Sequence, residues 1–177
     1  TNITRGPYAV TQINYSGGSF LGQRTYFPTN IAALGALPLV VVSHGNGHNY
    51  RWYDHLGYHM ASWGYVVMSH ANNTAPGIET ASTSTLRNTQ LFLEDTAAIA
   101  DGALVGHIDS HRIVWIGHSR GGIVVSRVAE LIPERLRRLV YLSAYLLPAG
   151  GSLAEAARTD RALRELDVLT FSLGLGL

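Results

Sequence analysis

The sharpest feature of the hydrophobic pattern is the run Leu39-Val40-Val41-Val42 after Pro38, apolar at every position with no polar alternation. Such a run predicts a strand covered on both faces, and it stops at the polar, glycine-rich stretch Ser43-His44-Gly45-Asn46-Gly47. Upstream, 6–15 and 23–27 read as two strands around the turn Ser16-Gly17-Gly18-Ser19, a hairpin-like start. Over 51–63 the spacing of Trp52, Leu56, Met60 and Trp63 predicts one buried helical face, with Gly64 as the stop. A strand follows at 65–68, then a Ser/Thr/Asn-rich loop over 71–85, then a helix carrying Leu86, Leu93, Ala97, Ala100 and Leu104. The remaining pattern gives a strand at 113–116, a helix at 121–131, a breaker at Pro133 and a strand at 139–142. Ser152-Leu153-Ala154-Glu155 is a capping box that opens a last helix through about Asp167.

Strands alternating with helices imply βαβ units, hence an α/β fold with a mainly parallel sheet flanked by helices on both faces. Neither a repeat nor a linker divides residues 1–177, so a single domain is expected. With 46% hydrophobic and 14% charged residues the composition is that of a globular protein, and a net charge of +1 gives no footprint for nucleic acid. Every basic residue is an arginine, and the cluster Arg135, Arg137, Arg138 reads as a solvated edge. No cysteine is present, which excludes disulfides and thiolate chemistry. No apolar run is long enough for a membrane span, and no signal peptide is visible at Thr1.

Candidate chemistry centres on Gly117-His118-Ser119-Arg120-Gly121, a Gly-x-Ser-x-Gly pattern between a strand and a helix. That context is the nucleophile elbow, a strained turn that lifts one hydroxyl clear of the sheet. In a parallel sheet the reactive groups gather at the carboxyl ends of the strands, where the His44–Gly47 loop also lies. Acyl transfer needs donors where charge develops on the carbonyl oxygen, and the backbone amides of Arg120 and Asn46 are the candidates. The blander reading makes Ser119 the cap of a helix after a tight turn.

On these residues the chain resembles the α/β-hydrolase family. Arg5-Gly6-Pro7-Tyr8, Tyr26-Phe27-Pro28, Ser43-His44-Gly45, residues 61–67 and Gly117 to Gly122 look like landmarks of its cutinase-like and dienelactone-hydrolase-like branches. The stretch from Ile123 through 139–144 to Pro148 is closer to the small esterase and hydroxynitrile-lyase branch. The resemblance implies a serine carboxylic-ester hydrolase without cofactor or metal, acting on small-molecule or polymeric esters, including lipid and polyester types. It also implies a secreted or periplasmic location. Polyester hydrolases of this kind carry methionine after the serine and an apolar or aromatic residue in the oxyanion loop. Arg120 and Asn46 stand in those places, so a more polar acyl pocket is expected.

A serine hydroxyl needs a histidine to take its proton and an acid to orient that histidine. The family order is Ser, acid, His, yet none of the eight histidines follows Ser119. The expectation is therefore a catalytic domain lacking its last strands, with the edge of the sheet left open. Glu155, Asp160, Glu165 and Asp167 read as parts of an ordinary amphipathic helix rather than as the acid. His44 and His48, flanking the oxyanion loop, are the possible non-standard bases. His118 is expected to point away and pack, and His70 to bond locally. His55 and His59 have a zinc-compatible spacing but read as core histidines, and His107 and His111 as structural or solvated. The alternatives are a non-catalytic or weakly active ligand-binding remnant of the fold and a hydroxynitrile-lyase-like lyase.

Overall fold

The computed structural model describes residues 4–17, 20–72, 77–146 and 169–172. One seven-stranded sheet runs in the order β1-β2-β4-β3-β5-β6-β7. Its strands are β1 (Val10–Gly17), β2 (Phe20–Pro28), β3 (Leu37–Ser43), β4 (Val66–His70), β5 (Ile108–Ser119), β6 (Leu136–Ala144) and β7 (Leu169–Ser172). β1 and β2 form the antiparallel hairpin that the glycine turn implied, and β2 joins β4 antiparallel. β4, β3, β5 and β6 are parallel. The fold class is thus the mainly parallel α/β sheet expected from the alternation of elements.

Among the described residues the α-helices are α1 (Asp54–Ser62), α2 (Ile78–Glu94) and α3 (Gly121–Leu131). Alternate residues of β3 face opposite cores: Leu39 and Val41 pack with Phe92 of α2 and Val125 and Val128 of α3, while Val40 and Val42 pack with Ala61 of α1. An unbroken apolar strand is therefore what a sheet sandwiched between α1 and the α2/α3 pair requires. Trp115 fills the α2/α3 side and is fully buried.

Several expectations are corrected. Residues 78–85 are helical rather than loop, because the hydroxyls that read as loop signals bond back along the helix: Ser82 to the Ile78 carbonyl, Ser84 to Thr80 and Thr85 to Ala81, at 2.7–2.9 Å. The same helix ends at Glu94, before the predicted continuation to Leu104, and 3-10 turns over 96–98 and 100–102 bury Ile99 and Leu104 instead. On α1 the buried stripe is Gly57 and Ala61, continuing Tyr53 of the preceding 3-10 turn, and Trp52 and Trp63 are exposed. Gly57 sets that rotation, since any Cβ there would overlap the Tyr26 ring. β6 is not the edge of the sheet, for β7 lies antiparallel along it, with Arg138 opposite Ser172 and Tyr141 opposite Leu169. The capping box and helix read over 152–167, and the four acids there, lie outside the described residues.

The parallel strands place Ser43, His70 and Gly117 side by side at one level of the sheet, on β3, β4 and β5. That carboxyl edge is where the loops 44–49, 71–72 and the β5–α3 turn meet. Helix α1 is fixed to β2 below it by Asp54, which accepts from Arg24 at 2.7 Å and from the Tyr26 hydroxyl at 2.5 Å.

Candidate active site

β5 ends in a backbone conformation that an L-amino acid rarely adopts. Ser119 has φ +53°, Arg120 returns to helical angles, and α3 begins at Gly121. Holding a serine in the left-handed region costs about 1–3 kcal/mol, a strain that persists only where the surroundings impose it. Here the glycines impose it. A Cβ on Gly117 would sit 2.5 Å from the Gly121 carbonyl oxygen, one on Gly121 would overlap the Ser43 carbonyl, and one on Gly122 would lie 2.6 Å from the Tyr145 oxygen. Backbones of β3, β5, α3 and the segment after β6 therefore meet at a distance only glycine permits. The turn is closed from the other side by Tyr145 N–H donating to the Ser119 carbonyl at 3.1 Å.

The loop after β3 folds directly against this turn. A Cβ on Gly45 would stand 2.9 Å from Ser119 Cβ, 3.2 Å from the His118 oxygen and 3.4 Å from His48 Nδ1. His48 N–H donates to the Gly45 carbonyl at 3.1 Å, and Gly47 at φ +70° lets the chain reverse, leaving Asn46 exposed at the corner. Arg120 caps α3, where the first helical amides have no partner inside the helix. Ser119 itself is partly exposed, and its hydroxyl makes no hydrogen bond among the described residues.

The two histidines flanking the loop differ. His44 is buried, with Nδ1 donating to the Gly45 carbonyl at 2.8 Å and Nε2 accepting from Asn72 N–H at 3.1 Å. Both ring nitrogens are committed to backbone, and burial holds the ring's pKa below the ordinary value. That arrangement leaves His44 no nitrogen for Ser119 and makes it a strut between two loops. His48 is partly exposed, 5.2 Å from the Trp52 indole and 4.9 Å from the His118 ring by centroids.

His118 turns toward α1 rather than into the sheet, with Nδ1 2.9 Å from the Tyr53 hydroxyl. Burial lowers its pKa, and the charges of His48 and His55 add to the effect. The same Tyr53 oxygen lies 3.4 Å from Gly45 N and 3.4 Å from His48 Nδ1. Sequence reasoning missed Tyr53. Its only advance signal is a position one turn beyond the oxyanion loop, which Tyr50 and Trp52 nearly share. His70 bonds locally, Nδ1 to the Ala71 carbonyl at 2.8 Å, and full burial pushes its pKa down to about 4. His55 is exposed rather than a core residue, and His107 donates to the Leu34 carbonyl at 2.9 Å. Among the described residues no group of three or more His, Asp or Glu side chains is placed to hold a metal, and no helix is long and apolar enough to cross a membrane.

A mainly parallel sheet with this strand order, a left-handed serine at the end of β5 and a glycine loop packed on that serine are features of the α/β-hydrolase class. Residues 36–169 match the family described as serine aminopeptidase, S33, and the chain belongs to that family. It is also similar to cutinase est2 of Thermobifida alba, 27% identical over 132 residues that make up 73% of this chain and 42% of the relative. Cutinase 2 of Thermobifida cellulosilytica is 28% identical over 132 residues, 73% of this chain and 48% of the relative. The chain thus spans less than half the length of these curated relatives.

Proposed function

We propose that this chain is a serine carboxylic-ester hydrolase in which Ser119 attacks the ester carbonyl and forms an acyl-enzyme. The observation that carries the reading is the left-handed Ser119, partly exposed and set against Gly45 of the glycine loop. The amides of Asn46 and Arg120 donate to the developing oxyanion, a contribution of about 10²–10³ in rate per donor. Attack transfers the hydroxyl proton to an imidazole, the carbonyl π pair moves to oxygen, and collapse expels the alcohol, which takes that proton. Water repeats the sequence to release the acid. Within this chain His48 is the proton acceptor, since its Nδ1 lies against the same glycine as Ser119 and its Nε2 makes no hydrogen bond among the described residues, whereas both nitrogens of His44 are bound.

The similarity to two cutinases supports an ester substrate, and lipid or polyester types belong to the same proposal. Asn46 and Arg120 in the acyl pocket favour esters with polar groups near the carbonyl. Function outside the cytoplasm is proposed from the resemblance. The test is turnover of a short-chain nitrophenyl ester by the chain and by Ser119→Ala. Turnover lost in the variant is expected. Equal rates in the two proteins would reject the proposal, and cyanohydrin cleavage without ester hydrolysis would replace it with a lyase.

A further inference from the structure

A phenol oxygen has one proton to give and two lone pairs to receive, and the Tyr53 oxygen is surrounded by three nitrogens. One of them, Gly45 N–H, can only donate. The shortest contact, 2.9 Å to His118 Nδ1, takes the phenol proton. Gly45 N–H then occupies one lone pair, and the other is left for His48 Nδ1–H. We infer that Tyr53 is a positioning residue for the reaction assigned to Ser119: its hydroxyl holds His48 as the Nδ1–H tautomer with Nε2 bare, and ties the oxyanion loop to the nucleophile turn.

The rest of the geometry agrees with that assignment. Tyr53 is 4% exposed and packs with Tyr26, Val42 and Ala61, so the phenol cannot swing to water to satisfy itself. It is held in place by the 3-10 turn Tyr50–Tyr53, whose Asn49 cap accepts from Arg51 N–H at 2.9 Å, and by α1, which begins at the next residue. The two 3.4 Å contacts are at the long end of the hydrogen-bond range. The His118 and His48 rings lie 4.9 Å apart, tilted by 34°, and both cannot direct Nδ1–H at one oxygen that already accepts from Gly45. The hub therefore forces the two imidazoles into opposite tautomers, and only His48 receives the one a proton acceptor at Nε2 needs. Among the described residues, the charges that act on His118 are those of His48 and His55.

This inference rests on the Ser119 reading for its effect on rate, while its structural core can be checked without any turnover. Nitrogen-15 imidazole spectra of the unmodified chain at neutral pH should show His48 protonated at Nδ1 and His118 at Nε2. Both rings in the same tautomer would overturn the inference whatever the activity. In Tyr53→Phe, which removes one oxygen and keeps the ring, the tautomer signatures should be lost. Fluorophosphonate labelling of Ser119 and kcat should fall by about 10- to 100-fold with KM changed by less than about twofold. A variant with unchanged thermal midpoint and unchanged labelling rate would reject Tyr53 as a positioning residue. If the unmodified chain itself fails to label, the Ser119 reading falls and the tautomer result stands as a separate finding.

Discussion

At the carboxyl edge the two faces of the sheet handle polarity in opposite ways. Toward α2, the polar side chains Gln23, Thr25, Ser43, His70, Thr85 and Asn88 are sealed from solvent in a layer above the apolar core. Their bonds are local or point to neighbouring strands and loops, as with Asn72 donating to Ser43 Oγ at 2.7 Å and Thr25 to Gln23 at 2.8 Å. Toward α1, His48 and His118 are partly exposed and share one phenol. His70 and His118 both stand near strand ends, and His118 is the chain neighbour of Ser119. A sealed polar layer fixes protonation states and shape, while an open one keeps proton traffic available. On the proposed mechanism the scaffold lies on one side of the strand that carries Ser119 and the chemistry on the other.

Exchanging a histidine on each side is the strongest way to break that contrast. His48→Ala should lower acylation of Ser119 by about 100-fold or more, the scale of a lost general base. His70→Asn should leave acylation at neutral pH within about twofold. Stopped-flow release of nitrophenol reads both, and equal losses would erase the distinction between the faces.

Acid stability sharpens it next. In the unfolded chain His70 takes up a proton near pH 6.5, whereas in the folded chain it resists until about pH 4. The unfolded state then holds more protons between those values, so stability falls as pH drops from 6.5 toward 4 and the loss is complete below. It amounts to on the order of 3 kcal/mol, and urea midpoints across pH 7 to 4 should show it, with a flatter profile in His70→Asn. The same profile in both proteins would mean that the buried ring does not govern the acid limit.

The smallest effect concerns the anchor of α1. Burial opposes ionisation of Asp54, but the Tyr26 hydroxyl and Arg24 guanidinium outweigh it and leave its pKa below the ordinary value. Its contribution is therefore present above about pH 4 and is lost as pH falls through the depressed value. Because the Asp54 side chain is 45% exposed, solvent screening limits Asp54→Asn to about 1 kcal/mol by urea unfolding at pH 7. A change well above that would show that α1 depends on this pair more than on Gly57 and Ala61.

Legibility followed the same division. The presence of β1 to β6 and the bounds of α3 were readable, because apolar runs, Gly121 and Pro133 act locally. The start of α2 was not, since a stretch rich in serine and threonine carries no local sign of whether its hydroxyls will bond to the helix four residues back. The face of α1 depended on Tyr26 packing into Gly57, a contact between residues far apart in the chain. β7 is too short an alternation, Leu-Thr-Phe-Ser, to stand out beside a glycine-leucine tail. At the site the tight turn at Ser119 could be read from spacing, whereas the difference between His44 and His48 could not, for it arises from Asn72 and Tyr53 reaching them from other elements.

The central claim is that the β5–α3 turn presents an activated alcohol. Incubating the chain with a fluorophosphonate and mapping the adduct by mass spectrometry tests it most directly. The account predicts one adduct per chain, on Ser119, and none in Ser119→Ala. Recovery of unmodified Ser119 after prolonged exposure, or modification at another hydroxyl with Ser119 intact, would contradict it.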